Sequence, residues 1–295
     1  MLLQSMFVQA MPIGAVLIQS IVSMMIQATI QTTTDGAILF DAGIAAQGGV
    51  LERAESDQPQ SEPRRVDQAR FDAEWFDPAH WRAQGMSEQA HGGRGGVSYL
   101  DAPIGRCVLR HYRRGGMVAR VMGDRYLWTG AERTRGFAEF RLLAALHERG
   151  LHVPAPVAAR FERQGVHYRA DLITRRIEHA ETLAQLLALE RCDAAVAARV
   201  GAALAQFHDA GAYHADLNAH NLLLDSGAVW VIDFDRGELR PPARAWQLAN
   251  LARLKRSLIK LGAARDGEAA FERALWNPLM AAYERALGQA RRSAA

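Results

Sequence analysis

Lysine is almost absent from this sequence of 295 residues, since it occurs only at Lys255 and Lys260. Nearly all of the 35 Lys and Arg side chains are therefore arginine. The planar guanidinium group binds phosphate and carboxylate through paired hydrogen bonds, although a GC-rich genome explains the same bias. The formal net charge is only +3, and aromatics are not interleaved with basic runs. These features argue against nucleic-acid binding despite an isoelectric point near 9.1.

Cysteine is also scarce. Cys107 and Cys192 lie far apart and match no metal-ligand spacing, so neither a metal site nor a disulfide framework is indicated. A reducing compartment is then the default expectation. The remaining composition, 49% hydrophobic and 23% charged, is ordinary for a globular protein with a buried core in one large or two smaller domains.

Charged side chains are missing from residues 1–34, and the first one is Asp35. A secretory signal needs a basic region before its apolar core, and none is present. The apolar stretch is long enough to span a membrane, but glutamines and a proline interrupt it. Three interpretations are open: a weak membrane-associating segment, an amphipathic tail, or an upstream start codon with the true beginning near Met24 or Met25. We favour the third, and expect this uncharged extension to lie outside the fold.

Short strand-like segments dominate the first half. Residues 37–40, 97–100 and 107–112 have β character, and the last two suggest a hairpin. Residues 52–70 are polar and contain two prolines, which predicts an exposed loop or linker. Three large aromatics fall within residues 75–81, which predicts a cluster that fills part of the core.

Four glycines lie just before the predicted hairpin: Gly92, Gly93, Gly95 and Gly96. Without a Cβ atom, their backbone N–H groups can approach phosphate oxygens closely. Glycine clusters are also typical of ordinary loops, so this run indicates a phosphate-binding loop only in combination with other motifs.

Helical periodicity appears in residues 131–149, 194–210, 243–261 and 268–288. The predicted buried faces are Phe137, Phe140, Ala144 and His147 in the first segment, and Val196, Val200, Leu204 and Phe207 in the second. Gly150 and Gly211 provide stop signals, and residues 166–177 predict a strand pair or a strand with a connector. Strands followed mainly by helices predict an α+β fold without βαβ alternation.

The segment that indicates chemistry follows the second of these helices. His214, Asp216 and Asn221 form the pattern His-x-Asp-x-x-x-x-Asn, and Asp233 comes twelve residues later in an Ile-Asp-Phe-Asp run that ends at Asp235. Each piece is common alone, but the set in this order is specific.

Phosphoryl transfer explains why these residue types occur together. The reaction requires a hydroxyl held in line with the γ-phosphate and metal ions that neutralise the developing charge. Asp216 would accept or orient the acceptor proton, and His214 would brace the loop. Asn221 and Asp233 would supply the oxygen ligands that Mg²⁺ prefers.

These motifs resemble the lipopolysaccharide kinases of the protein-kinase-like superfamily, and in particular the 3-deoxy-D-manno-octulosonic acid (Kdo) kinases. The triplets are His-Ala-Asp and Asp-Phe-Asp, where protein kinases carry His-Arg-Asp and Asp-Phe-Gly. No Ala-Pro-Glu segment follows, which removes the usual peptide-substrate platform. The resembling runs also include residues 75–81, 109–116, 123–128 and 232–237.

The resemblance implies a two-lobed fold, with a β-rich N-lobe carrying one long helix over residues 35–177 and a mostly α-helical C-lobe over residues 178–295. It implies that ATP and Mg²⁺ are used to phosphorylate the 4-hydroxyl of Kdo on Kdo-lipid IVA during lipopolysaccharide core synthesis. It also implies peripheral attachment at the cytoplasmic face of the inner membrane. No obligate protein partner is inferred.

Arg110 is the positional replacement for the lysine that such folds use to bind the ATP phosphates. Its expected helix partner is Glu139, with Glu132 as the alternative. Residues 173–177 occupy the position of the hinge that contacts adenine. Four further residues are expected at the acceptor: Arg113, Arg114, Asp235 and Arg236.

Two alternatives remain open at this point. A related kinase for an aminoglycoside or another sugar would need acidic residues around a cationic acceptor, whereas the arginine-rich residues 106–125 favour an anionic one. A pseudokinase that binds nucleotide or lipid without turnover is the other alternative. The missing lysine favours it, but the intact Asp216, Asn221 and Asp233 oppose it.

Overall fold

An antiparallel sheet of eight strands dominates the first half of the computed structural model, which describes residues 26–51, 71–89, 96–113 and 123–293. The strands are β1 Ala28–Thr32, β2 Gly36–Asp41, β3 Ser87–Gln89, β4 Val97–Ala102, β5 Gly105–His111, β6 Tyr126–Leu127, β7 Pro156–Gln164 and β8 His167–Arg175. Their order is β1-β2-β7-β8-β5-β4-β3, and β6 pairs with β8. The hairpin predicted from the sequence is the β4–β5 pair, with Tyr99 opposite Val108.

The first strand lies inside the uncharged N-terminal segment. β1 forms the edge of the sheet, with Ile30 opposite Leu39 on β2. The expectation that residues 1–34 lie outside the fold is therefore wrong for residues 28–32. β2 is followed directly by helix α1, Ala42–Leu51. The predicted linker at residues 52–70 lies outside the described residues.

One face of the sheet is covered by an aromatic cluster. A 3₁₀ turn at Ala73–Phe76 leads into the short helix α2, Pro78–Ala83. Phe76 and Trp81 are buried, and the Trp75 ring packs edge-on against Trp81 with the ring centroids 5.1 Å apart. The predicted core cluster is thus confirmed.

The opposite face packs against helix α3, Arg135–Glu148. Its buried side is Phe137, Phe140, Leu143 and Leu146, whereas Ala144 and His147 are half-buried. The buried face predicted from the sequence therefore differs from the observed one at the C-terminal end of the helix, where Leu143 and Leu146 are buried in place of Ala144 and His147. The helix approaches the sheet so closely at Gly136 that an added Cβ would lie 2.7 Å from the Asp171 carbonyl oxygen.

Helices dominate the second half, which confirms the predicted α+β class. They are α4 Leu183–Ala188, α5 Ala194–Asp209, α6 Arg244–Lys260, α7 Glu268–Phe271 and α8 Asn277–Ser293. A π-helical turn at Glu272–Trp276 joins the last two, so the predicted helix 268–288 is interrupted and extends further. Five short strands complete this half: β9 Glu181–Thr182, β10 Ala212–Tyr213, β11 Leu222–Leu224, β12 Val229–Val231 and β13 Glu238–Leu239. The exact division into lobes at residue 177 stays a prediction.

Helix α5 is the central helix of this half and leads to the site. Its predicted face is buried at Val200, Leu204 and Phe207, and Phe207 stacks on Phe234 with the ring centroids 6.1 Å apart. This contact joins the helical core to the Asp-Phe-Asp segment. Within the part of the chain that the structure describes, we find no helix with the length and apolar character needed to cross a bilayer.

Candidate active site

His214 connects the two motifs predicted to carry the chemistry. Its side chain is buried, and its Nδ1 accepts a hydrogen bond of 3.1 Å from the Asp216 backbone N–H. Its Nε2 lies 2.9 Å from the Ile232 carbonyl oxygen, which can only accept. These two partners require the neutral tautomer with the proton on Nε2, and burial lowers the pKa of His214 in agreement. The predicted bracing contact is therefore present.

Asn221 closes the loop that presents Asp216. The Asn221 Nδ2 donates to the backbone carbonyl oxygen of Asp216 at 3.0 Å. The backbone carbonyl oxygen of Asn221 accepts from the Ile232 N–H at 3.0 Å. Asn218 also donates to the Asp216 carbonyl oxygen. The Asp216 carboxylate itself is 67% exposed and faces solvent, where an acceptor hydroxyl could reach it.

Arg110 bridges the sheet and the Asp-Phe-Asp segment. Its guanidinium donates hydrogen bonds to the carboxylates of Glu139 and Asp233 and to the Tyr112 hydroxyl. Tyr112 in turn donates to Glu139 at 2.6 Å. The partner on helix α3 is thus Glu139, whereas Glu132 pairs with Arg141.

Glu139 is the most buried carboxylate of this network. Its side chain is only 2% exposed, so burial raises its pKa, while the charge of Arg110 opposes that shift. Removing Arg110 would leave this carboxylate buried without its cation, which is far more costly than losing a surface pair. The arginine therefore makes the expected ion pair with the helix glutamate, whereas its replacement of the lysine in binding ATP stays a prediction.

The Asp-Phe-Asp segment has a strained backbone. Asp233 adopts a left-handed conformation with φ of 63°, which is uncommon for a non-glycine residue. Asp235 pairs with Arg135 at the start of α3. Its other carboxylate oxygen is buried with no hydrogen bond in the described structure, and burial raises the pKa of Asp235. Arg236, also left-handed, is exposed.

The oxygen atoms at Asn221 and Asp233 suit a magnesium ion that also binds phosphates. No group of three or more His, Cys, Asp or Glu side chains among the described residues could hold a metal. The Asn221 Oδ1 atom and the second Asp233 oxygen have no hydrogen bond within the described ranges, and they are hard donors. Mg²⁺ is commonly held by one or two such ligands together with water and substrate phosphates. The residues therefore fit a metal that arrives with a nucleotide.

Some predicted residues do not join this site. Gly92, Gly93, Gly95 and Arg114 lie outside the described residues. Gly96 is described, and its carbonyl oxygen accepts from the His111 N–H at 2.8 Å.

Arg113 lies away from the predicted acceptor position. With His111, Arg160 and Asp171 it lines a separate pocket of about 370 Å³. Side chains alternate between the faces of a strand, so His111 points to the face opposite Arg110, and Arg113 follows His111. The placement removes the support that Arg113 gave to acceptor binding.

The structure adds residues that the sequence analysis missed. A cleft of about 530 Å³ next to Asp216 is lined by Asn218, His220, Arg253, Arg256, Ser257, Lys260 and Leu261. The three cations share one face of helix α6 at spacings of three and four residues. That spacing was available from the sequence, but any exposed helix face shows it, and only tertiary packing places this one beside Asp216.

A family model and curated relatives identify the family of this chain. The family model for "Lipopolysaccharide kinase (Kdo/WaaP) family" matches residues 78–283. A 3-deoxy-D-manno-octulosonic acid kinase of Stenotrophomonas maltophilia strain R551-3 is 51% identical over 200 residues, or 67% of this chain and 79% of the relative. The kinase of the same name from Xanthomonas campestris pv. campestris strain B100 is 50% identical over 230 residues, which cover 74% of this chain and 86% of that relative. A solved structure of WaaP in complex with acyl carrier protein is 18% identical, with a TM-score of 0.41 over 72% of this chain and 92% of that one.

Proposed function

Because the chain belongs to the lipopolysaccharide kinase (Kdo/WaaP) family, we propose that it transfers the γ-phosphoryl group of ATP to the 4-hydroxyl of Kdo on Kdo-lipid IVA. The observation that carries the proposal is the path from Asp216 through His214 to Ile232, beside Asp233. These hydrogen bonds fix the position of the Asp216 carboxylate, which serves the acceptor, relative to the Asp233 carboxylate, which serves the metal.

Asp216 acts on the acceptor. As the 4-hydroxyl oxygen bonds to the γ-phosphorus and the bond to ADP breaks, the hydroxyl proton passes to the Asp216 carboxylate. Positioned proton acceptors of this kind contribute about 10²–10⁴-fold to a rate. The hydrogen bonds that Asn218 and Asn221 donate to the Asp216 carbonyl keep the loop closed beneath the carboxylate.

The nucleotide side of the site uses Arg110, Asn221 and Asp233. Asn221 and Asp233 would hold Mg²⁺, which neutralises charge on the transferring phosphoryl group. Arg110 provides a guanidinium beside Asp233, and Glu139 and Tyr112 fix its orientation. An arginine can bind phosphate oxygens with two parallel N–H groups, so it is a competent replacement for lysine.

The acceptor also determines the proposed location. Kdo-lipid IVA is anchored in a bilayer by its acyl chains, whereas ATP is cytoplasmic. We therefore place the enzyme at the cytoplasmic face of the inner membrane as a peripheral protein.

The test is transfer of labelled γ-phosphate from ATP to Kdo-lipid IVA by purified protein with Mg²⁺. Label on the Kdo sugar is expected, and Asp216→Asn should lower kcat by about 10²–10⁴-fold with an unchanged melting temperature. Asp209→Asn, on an exposed residue at the end of α5, is the matched control. Label on an aminoglycoside but not on Kdo-lipid IVA would favour the other sugar-kinase interpretation. Nucleotide binding without any transfer would favour the pseudokinase.

A further inference from the structure

Helix α6 carries a row of positive charge along the cleft beside Asp216. Arg253, Arg256 and Lys260 are exposed on one face, while Leu251, Leu254 and Leu258 are buried on the other. These cations line the same cleft as Asp216, which is the only carboxylate among the lining residues that the structure describes. The cleft therefore has an excess of positive charge at the position where an acceptor must enter.

The row is held in register with the catalytic loop. Asn250 exchanges two hydrogen bonds with the backbone of His214, at 3.2 Å and 3.0 Å. About two helical turns further along α6, Ser257 Oγ accepts from the Ala219 N–H at 3.2 Å. Both contacts lie on the helix face that includes Arg253, so the distance between the row and Asp216 is set by the fold.

The members of the row differ in their partners. Arg253 Nη1 lies 3.1 Å from an Asp216 carboxylate oxygen, and so orients the proton acceptor. Lys255, on another side of the helix, pairs with Glu272. Arg256 and Lys260 have no ion pair within the described ranges of the chain. Seven residues of helix span about 10 Å, so all three charges lie within reach of one sugar-sized ligand.

We propose that Arg256 and Lys260 bind the anionic groups of the acceptor and thereby bring its hydroxyl to Asp216. This inference rests on the proposed function and identifies the part of the chain that selects an anionic acceptor. The ligand chemistry is a carboxylate or a phosphate, since Kdo carries the first and lipid A the second. A cationic sugar such as an aminoglycoside would be repelled by the same row.

Steady-state kinetics with Arg256→Gln, Lys260→Gln and the double variant test the proposal. Each single change should raise KM for Kdo-lipid IVA about tenfold, and the double change more, because each removes a charge-assisted contact. The kcat and the KM for ATP should stay within about twofold. Arg285→Gln, on an exposed face of α8, is the control and should change nothing.

Acceptor stripped of its lipid A phosphates separates the two sources of anion. If the defect of the double variant disappears on that acceptor, the row binds phosphate; if it persists, the row binds the Kdo carboxylate. An unchanged acceptor KM in the double variant overturns the inference and leaves the proposed function intact.

If the proposed function is wrong, the wild-type protein will not phosphorylate Kdo-lipid IVA. Cosedimentation with vesicles containing Kdo-lipid IVA then tests the row independently. Binding that is lost in the double variant supports an anionic ligand, and equal binding by both proteins overturns it.

Discussion

His111 illustrates how far the contacts of one residue determine its charge. Its Nδ1 lies 2.6 Å from Asp171 and its Nε2 lies 3.0 Å from Asp124. Ionised carboxylates only accept hydrogen bonds, so both ring nitrogens must carry protons. The hydrogen bond to Asp171 raises the pKa of His111 most, with smaller contributions from Asp124 and opposition from burial. Arg160 and Arg169 contact the same two carboxylates.

This imidazolium predicts a specific pH dependence of stability. Because its folded pKa is raised, the His111 contribution is fully present below the unfolded pKa of about 6.5 and is lost as pH rises through the folded value. Each unit by which folding raises the pKa of His111 adds about 1.4 kcal/mol to the unfolding free energy at low pH. His111→Gln should therefore be less stable than wild type at about pH 6, with a smaller difference at about pH 9.

Urea unfolding at the two pH values measures the effect. His179→Asn is the control, because that histidine side chain is 91% exposed and asparagine tolerates its left-handed backbone. An equal loss of stability for His111→Gln at both pH values would show that the histidine acts only by packing.

At the residue scale the sequence predicted the loop chemistry better than the surroundings. The contact of Arg110 with Glu139 was expected and is present, because a buried cation on a central strand needs a carboxylate from the covering helix. Arg113 was expected at the acceptor because its charge could meet the carboxylate or the phosphates of an anionic ligand. The structure places it instead in the pocket with His111, whose side chain points to the strand face opposite Arg110.

Among the elements, α5 packs directly against α8. At Gly201 on α5, an added methyl group would overlap the backbone carbonyl oxygen of Leu279 on α8. A backbone atom cannot rotate away as a side chain can, so the helices would have to separate.

Gly201→Ala should therefore lower the unfolding free energy by about 3 kcal/mol, at the upper end of overpacking effects. Gly288→Ala is a matched control on α8, because its added Cβ would meet only the flexible end of Arg292 at 3.6 Å. That control should be neutral or more stable by up to about 1 kcal/mol, since alanine favours helix. Thermal or urea unfolding of both variants is the measurement, and similar stability in the two would contradict the packing argument.

Element boundaries show where sequence patterns are insufficient. The main helices were found within a few residues because their apolar spacing is regular. β1 was missed because the uncharged segment looked foreign to the chain, yet pairing with β2 decides its structure. The π-helical turn at Glu272–Trp276 was missed because five residues are too few to show a periodicity distinct from that of the helices on either side.

At the scale of the whole molecule, ion pairs connect the sheet and its covering helix α3 with the Asp-Phe-Asp segment of the helical half. Arg110 on β5 pairs with Asp233, and Arg135 on α3 pairs with Asp235. The His152 carbonyl oxygen adds a backbone contact, since it accepts from the Val231 N–H at 3.0 Å. The proposed metal ligand is therefore also a link between the two halves, so we expect nucleotide binding to be coupled to the relation of the halves.

This double role of Asp233 predicts how Mg²⁺ and ATP affect stability. A ligand that binds only the folded protein adds about 2.7 kcal/mol at a concentration one hundred times its Kd, which raises Tm by several degrees. If Asp233 holds the metal, EDTA should abolish most of the shift caused by ATP. Asp233→Asn should show little shift with or without Mg²⁺, because the amide is a weaker ligand.

Asp266→Asn provides the comparison for that measurement, because its carboxylate is 82% exposed and its ion pair in the described structure is with the neighbouring Arg265. The Tm of this variant should rise with ATP and Mg²⁺ by the same amount as that of the wild type. Without ligand, Asp233→Asn should melt slightly below wild type, since it weakens the Arg110 link between the halves. A full Mg²⁺-dependent shift in Asp233→Asn would exclude Asp233 as the metal ligand and leave it only the structural role. A shift of equal size in EDTA would mean that ATP binds through arginine alone.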